Sequence, residues 1–203
     1  MRHSTARWAA TLLAWGLVAS TAATGTAGPD SSPPELKAGA FDPPRQAPDF
    51  DLRGSNGDVL KISHYRGKVV LLAFGFTSCT AVCPTTLNTF AMARRKLAAT
   101  AAANVQVIYV TVDPQRDDIP RLKKYLGSFD PTFVGGTGTE EQLAAVRKDY
   151  GISAQKQVLG DSYTYAHSSF TYLIDRNGRI RALMPYGHSP DDYAHDLTLL
   201  LKE

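Results

Sequence analysis

Cys79 and Cys83 are the two cysteines of this 203-residue chain, and both fall in one short segment between Phe74 and Pro84. An apolar run, Val69 to Phe74, precedes them, and a helix-like stretch opens at Pro84. A dithiol between a buried strand and a helix start sits where unpaired N–H groups and the helix dipole favour thiolate over thiol. Thiolates attack disulfides and bind soft metals. Three residues separate the pair, one more than in the thioredoxin redox loop. At i, i+4 the sulfurs share one side of a helical turn. They can converge on one ion, or close a disulfide after modest backbone adjustment. Two thiolates fill only part of a metal's coordination, so a third ligand is expected from elsewhere. The candidate is His167, in Tyr163-Thr164-Tyr165-Ala166-His167-Ser168-Ser169. Two thiolates and one imidazole make a soft, low-coordinate site suited to Cu(I), with Cu(II) less favoured and Zn(II) as competitor. Spacing by itself does not establish such a site.

The elements that must position these groups are legible in outline. Phe50 to Leu52 and Val59 to Ile62 flank a turn with an Asn56-Gly57 dipeptide, which predicts a hairpin. Val69 to Phe76 is a continuous apolar run, as a strand buried on both faces requires. Thr85 to Ala99 has helical spacing, with Arg94, Arg95 and Lys96 suiting a helix C-terminus. Val105 to Val110 is a second core strand; Ile119 to Leu126 and Glu140 to Tyr150 read as helices. Ser169 to Ile174 and Arg179 to Leu183 are strands joined by the turn Asp175-Arg176-Asn177-Gly178, and Pro190 to Leu201 closes the chain as a helix. This order predicts a mixed α/β sheet with right-handed crossovers, thioredoxin-like with an added N-terminal β-hairpin. In such a fold the segment entering the strand after His167 lies beside the dithiol loop.

The N-terminus has another character. Arg2 and Arg7, an apolar stretch from Trp8 to Ser20 and the small residues Ser20-Thr21-Ala22-Ala23 make a three-part export signal over residues 1–23. The alternative is an uncleaved inner-membrane anchor reaching to about residue 29, although the Thr, Ala and Gly of its second half are weakly apolar for a spanning helix. No cysteine lies near the cleavage position, so a lipid anchor is not expected. Residues 24–46 read as a flexible Pro/Ser/Gly/Ala-rich tether, and residues 47–203 as the folded domain. Arg2 and Arg7 are two of the 22 basic residues, so 20 remain against 19 acidic ones in the mature chain. A balance of +1 argues against nucleic acid or an anionic membrane surface as partner. Export to a periplasm or cell envelope would also expose the dithiol to oxidation.

Four segments in order carry a resemblance. Gly67 to Leu87, Val112-Asp113-Pro114-Gln115-Arg116-Asp117, Phe133 to Thr139 and His167 to Asp175 resemble the motifs of the SCO/SenC family of copper-delivery proteins, over nearly all of residues 47 to 203. The resemblance implies a thioredoxin-like metallochaperone rather than an enzyme, with Cys79, Cys83 and His167 as copper ligands. It also implies delivery to a cuproprotein such as the dinuclear copper centre of a cytochrome c oxidase subunit, with other copper chaperones or a thiol reductase as further partners. Thr80 and Ala81 stand where the family usually carries Pro and an acidic residue, which loosens the loop and removes a negative charge near the thiols.

Three rival readings remain open at this point. A thiol–disulfide oxidoreductase would use Cys79 and Cys83 as a redox pair, but would not need an imidazole facing them. A peroxiredoxin would use the Thr80-x-x-Cys83 core, yet Phe76 replaces the expected proline and Cys79 has no counterpart. A structural disulfide would close so small a loop that it restricts the unfolded chain little. Asp113 either orients a ligand or helps a partner dock, or else caps the turn before Pro114. Arg116 and Asp117 read as a solvated pair, and Gly135-Gly136-Thr137-Gly138 as a turn lacking the ending of a nucleotide loop. His64, His188 and His195 read as surface residues without ligand spacing, and His3 leaves with the signal. Tyr163, Tyr165, Phe170 and Tyr172 are expected to alternate between core and surface along strands.

Overall fold

The computed structural model describes residues 35–203, so the export signal, the anchor alternative, His3 and the start of the tether lie outside the described residues. In chain order the first half comprises β1 (Gly39–Gln46), β2 (Leu52–Gly54), β3 (Val59–Leu60), β4 (Val69–Gly75), α1 (Val82–Lys96), α2 (Ala99–Ala102) and β5 (Val105–Thr111). The second half comprises α3 (Ile119–Gly127), β6 (Val134–Thr137), α4 (Glu140–Asp149), β7 (Ala154–Leu159), β8 (Ser162–His167), β9 (Phe170–Ile174), β10 (Arg179–Pro185) and α5 (Pro190–Leu200). A 3-10 turn at Ile62–Tyr65 leads from the β2–β3 hairpin into β4.

Eight strands form one mixed sheet in the order β1-β10-β9-β4-β5-β6-β2-β3, and β7 and β8 pair separately. β4 runs parallel to β5 and antiparallel to β9, and β5 runs parallel to β6. Every residue of β4 and β5 is buried, which is what an unbroken apolar run implies for interior strands. Helices α1 and α5 pack on one another, with Phe90 edge-on to Tyr193 at 5.1 Å, while α3 packs on β6. Truncating a fully buried side chain such as Leu71 or Ile108 in this core would cost about 2–5 kcal/mol. The dithiol loop thus emerges from a strand buried along its whole length. The expected β-hairpin ahead of the core strand is present as β2–β3, joined through β2 to β6.

The structure corrects the expected order in three places. Gly39–Gln46, within the expected tether, is an edge strand paired with β10; its exposed side chains gave no apolar pattern to betray it. Gly135 and Gly136 belong to β6 rather than to a turn. Both lie flat against neighbours, since a Cβ at Gly135 would stand 2.9 Å from Leu126 and one at Gly136 2.7 Å from Leu60. The β7–β8 hairpin also went unpredicted, because β7 is almost wholly exposed and lacks a buried alternation.

Candidate metal centre

β4 ends at Gly75, and Phe76 to Ala81 turn the chain into α1. The N-cap residue Ala81 has no side chain able to cap the first turn. The sulfur of Cys79 takes that role: the backbone N–H of Cys83 points at Cys79 Sγ, 3.5 Å away. Cys79 is half-buried and Cys83 buried, and both are free thiols. Hydrogen bonding from the Cys83 thiol, opposed by burial and aided by the N–H groups of Cys83, Ala81 and Val82, pulls the Cys79 thiol down to about 5. Cys83 moves the other way, because it donates to Cys79 and is itself desolvated. At neutral pH the pair therefore holds one thiolate, on the more exposed sulfur, and one thiol.

His167 ends β8, and its Nε2 lies 3.7 Å from Cys83 Sγ. Its Nδ1 lies 2.8 Å from the carbonyl oxygen of Ser168, which can only accept. That contact puts the ring proton on Nδ1 and leaves the Nε2 lone pair facing the sulfur. Phe76 is edge-on to both Tyr165 and His167, at 5.7 and 5.9 Å, and holds the imidazole against the dithiol loop. The structure therefore brings His167 beside Cys83. Among the described residues no three His, Cys, Asp or Glu side chains stand in ready metal-binding geometry. Gathering Cys79, Cys83 and His167 about one ion requires an adjustment of the loop. As a donor set, two sulfurs and one imidazole nitrogen fit a soft ion of low coordination number.

Two buried carboxylates tie the surroundings together. Asp117 is fully buried, correcting its reading as half of a solvated pair. It accepts from the Thr77 N–H at 2.9 Å, from the Thr77 hydroxyl, and from the Thr111 hydroxyl at 2.6 Å. Arg121 adds bonds to the Thr77 and Ser78 hydroxyls. The dithiol loop is thereby pinned to the end of β5. Asp113, also fully buried, pairs with Arg116 and accepts from the Tyr163 hydroxyl at 3.0 Å. The Arg116 guanidinium covers the Tyr163 ring at 3.8 Å and donates to the Tyr163 carbonyl. Asp113 thus reaches not the cysteines but the hairpin that carries His167. Sequence reasoning found the Val112 to Asp117 motif but not its purpose, because Tyr163 lies 50 positions from Asp113.

His64 and His195 are not drawn toward the dithiol loop, whereas His188 borders the same cavity as Cys83. His64 lies in the 3-10 turn, and His195 bonds its neighbour Asp196 on α5. His188 pairs with Asp192 and stands on the wall of a cavity of about 220 Å³. Cys83, His167, Phe170, Tyr109 and Tyr186 line the same cavity. Two residues escaped sequence reasoning: Gly75 and Tyr109. A Cβ at Gly75 would stand 2.1 Å from the Tyr109 hydroxyl and 2.8 Å from Cys83 Sγ, so only glycine lets those two atoms share the space. The signal available was that Tyr109 sits opposite Ala73 in the β4–β5 register, one strand away from the loop.

The SCO1/SenC family model matches residues 39–202. An SCO2-like protein of Rickettsia felis is 38% identical over 140 residues, covering 64% of this chain and 65% of that protein. The chain thus spans a little under two thirds of that relative's length. The structure of Bradyrhizobium japonicum ScoI with copper bound superposes with a TM-score of 0.71 at 34% identity, over 77% of this chain and 99% of the other. Copper-bound Arabidopsis thaliana ScoI gives a TM-score of 0.72 at 27% identity, over 77% and 98%.

Proposed function

The chain belongs to the SCO1/SenC family, and we propose that it is an exported metallochaperone carrying copper as cargo on Cys79, Cys83 and His167. The observation that carries this reading is the approach of His167 Nε2 to Cys83 Sγ, with Nδ1 committed to a backbone carbonyl. An imidazole lone pair aimed at a dithiol serves a soft metal and serves disulfide exchange little. Copper-bound ScoI structures of the same fold support the choice of metal.

In the proposed cycle the Cys79 thiolate meets Cu(I) first, being ionised and the more exposed. Cys83 then loses its proton to solvent as its sulfur joins the ion, and His167 completes the set. Binding therefore releases a proton, and low pH opposes it. The domain docks on an acceptor with thiolates of its own, and ligand exchange passes the ion across. The acceptor proposed is the dinuclear copper centre of a cytochrome c oxidase subunit. The test is to mix the Cu(I)-loaded chain with a metal-free soluble domain bearing that centre and follow copper by chromatography. Copper moving to the acceptor is expected; copper staying on the chain would overturn delivery.

A second reading rests on the low Cys79 pKa. The Cys79 thiolate attacks a target disulfide, and one target sulfur leaves as thiolate. Cys83, giving up its proton, then attacks Cys79, and the second target sulfur leaves. The target gains two electrons and the chain ends as a Cys79–Cys83 disulfide, which an exported dithiol reductase would reopen. Copper binding and this exchange exclude one another, because the metal needs both thiolates.

A further inference from the structure

Tyr109 lies on β5 with its side chain fully buried, and its hydroxyl has no hydrogen-bond partner among the described residues. A buried hydroxyl without a partner costs stability, so its presence asks for a reason. The apolar ring alone would fill the space equally well as phenylalanine. The hydroxyl and Cys83 Sγ both border the side-chain-free position of Gly75, at 2.1 and 2.8 Å from where a Cβ would stand. The three residues meet at Gly75, and Tyr109 and Cys83 also line the cavity that His167 borders. The nearest other phenol, Tyr125, has its ring 6.4 Å from that of Tyr109, and its own hydroxyl is likewise buried without a partner.

We propose that the Tyr109 hydroxyl is the hydrogen-bond donor to Cys83 sulfur in its metal-bound thiolate state, which makes Tyr109 a positioning residue for the copper site. A protonated Cys83 offers the phenol only a weak acceptor; a thiolate is a strong one. The phenol and the sulfur stand close enough beside Gly75 to bond when the sulfur binds copper as a thiolate. Gly75 serves the same end by leaving the line between the two atoms clear. This inference rests on the copper reading above.

Tyr109→Phe tests it, because the two states respond with opposite signs. In the reduced, metal-free protein the variant removes only a partnerless hydroxyl, so its melting temperature is expected to equal or exceed that of the wild type. Its Cu(I) affinity, measured by competition with a chromogenic chelator, is expected to fall about tenfold, the lower end of what a group bonded to a metal ligand contributes. The gain in melting temperature on adding Cu(I) should shrink accordingly. An unchanged affinity, with the wild type binding tightly, would overturn this inference and leave the copper reading standing. A wild type that binds no Cu(I) would overturn both. A variant that loses stability and affinity together would show the hydroxyl to be a structural group and would also overturn the proposal.

Discussion

The two parts of the molecule that meet at the site are built very differently. The dithiol loop leaves β4, whose seven residues are all buried, and α1 continues from it into the core through Leu87, Phe90 and Ala91. His167 arrives on the β7–β8 hairpin, a two-stranded ribbon outside the main sheet with β7 almost wholly exposed. A lone hairpin is marginal in water. This one is held by Asp113, Arg116 and Tyr163 at its outer end and by Phe76 against Tyr165 and His167. The dithiol loop is thus braced by the core elements on either side of it, and the imidazole by a handful of contacts. On the proposed chaperone reading, which requires both binding and release of the metal, two ligands would sit on a loop braced by the core and one on a separately anchored arm.

If that contrast holds, the largest effect belongs to the sulfurs. Cys79→Ala and Cys83→Ala should each abolish tight Cu(I) binding, a loss well beyond the roughly hundredfold that changes around a ligand produce. A competition titration showing retained binding in either variant would break the two-thiolate site.

Next comes the anchor of the hairpin. Arg116→Ala leaves the Asp113 carboxylate buried beside Tyr163 with its cation gone, and should cost about 3 kcal/mol of stability, read by urea unfolding. Copper affinity should fall about 10- to 100-fold through His167, while the alkylation rate of Cys79 stays as in the wild type. An equal loss of Cys79 reactivity would mean that the two regions are not separable.

The dithiol region has its own signature in pH. The Cys79 thiol ionises near 5 in the folded protein against about 9 when unfolded, so between those values the unfolded chain binds more protons. Stability of the reduced protein relative to Cys79→Ala should therefore rise from about pH 5 to about pH 9. The contribution is complete above that window and absent below it. Above pH 9 Cys83 pulls the other way, because the fold keeps it protonated. Thermal melts of both proteins across this range check the sign, and a difference independent of pH would remove the thiolate from Cys79.

The smallest effect is expected at the hairpin surface. Lys156 lies 3.7 Å from the Tyr163 ring and bonds Gln115, but it is exposed. Lys156→Ala should change copper affinity by less than about twofold, because an exposed cation–π contact is weak. A larger change would show the hairpin to be held more loosely than its buried contacts imply.

How much of this the sequence disclosed follows the same division. The core strands, the helix start and the dithiol between them were legible because burial on both faces leaves unbroken apolar runs and helices leave a period. His167 was singled out from its place ahead of a core strand and from the order of four motifs, and the structure brings it beside Cys83. The hairpin that carries it was not, since exposed strands on both faces have no alternation to read. β1 escaped for the same reason. Asp117 looked solvated because charge predicts exposure unless partners are known. Its partners Thr77 and Thr111 come from other elements. The closeness of Tyr109 and Cys83 beside Gly75 likewise exists only in three dimensions.

The most direct test is a Cu(I) competition titration of the reduced chain beside His167→Ala, with the redox state of the dithiol checked in both. Tight one-to-one binding that weakens in the variant is expected, while Cys79 and Cys83 still oxidise to a disulfide. Equal and weak binding by the two proteins would contradict the copper reading and leave the dithiol as a thiol–disulfide exchange centre.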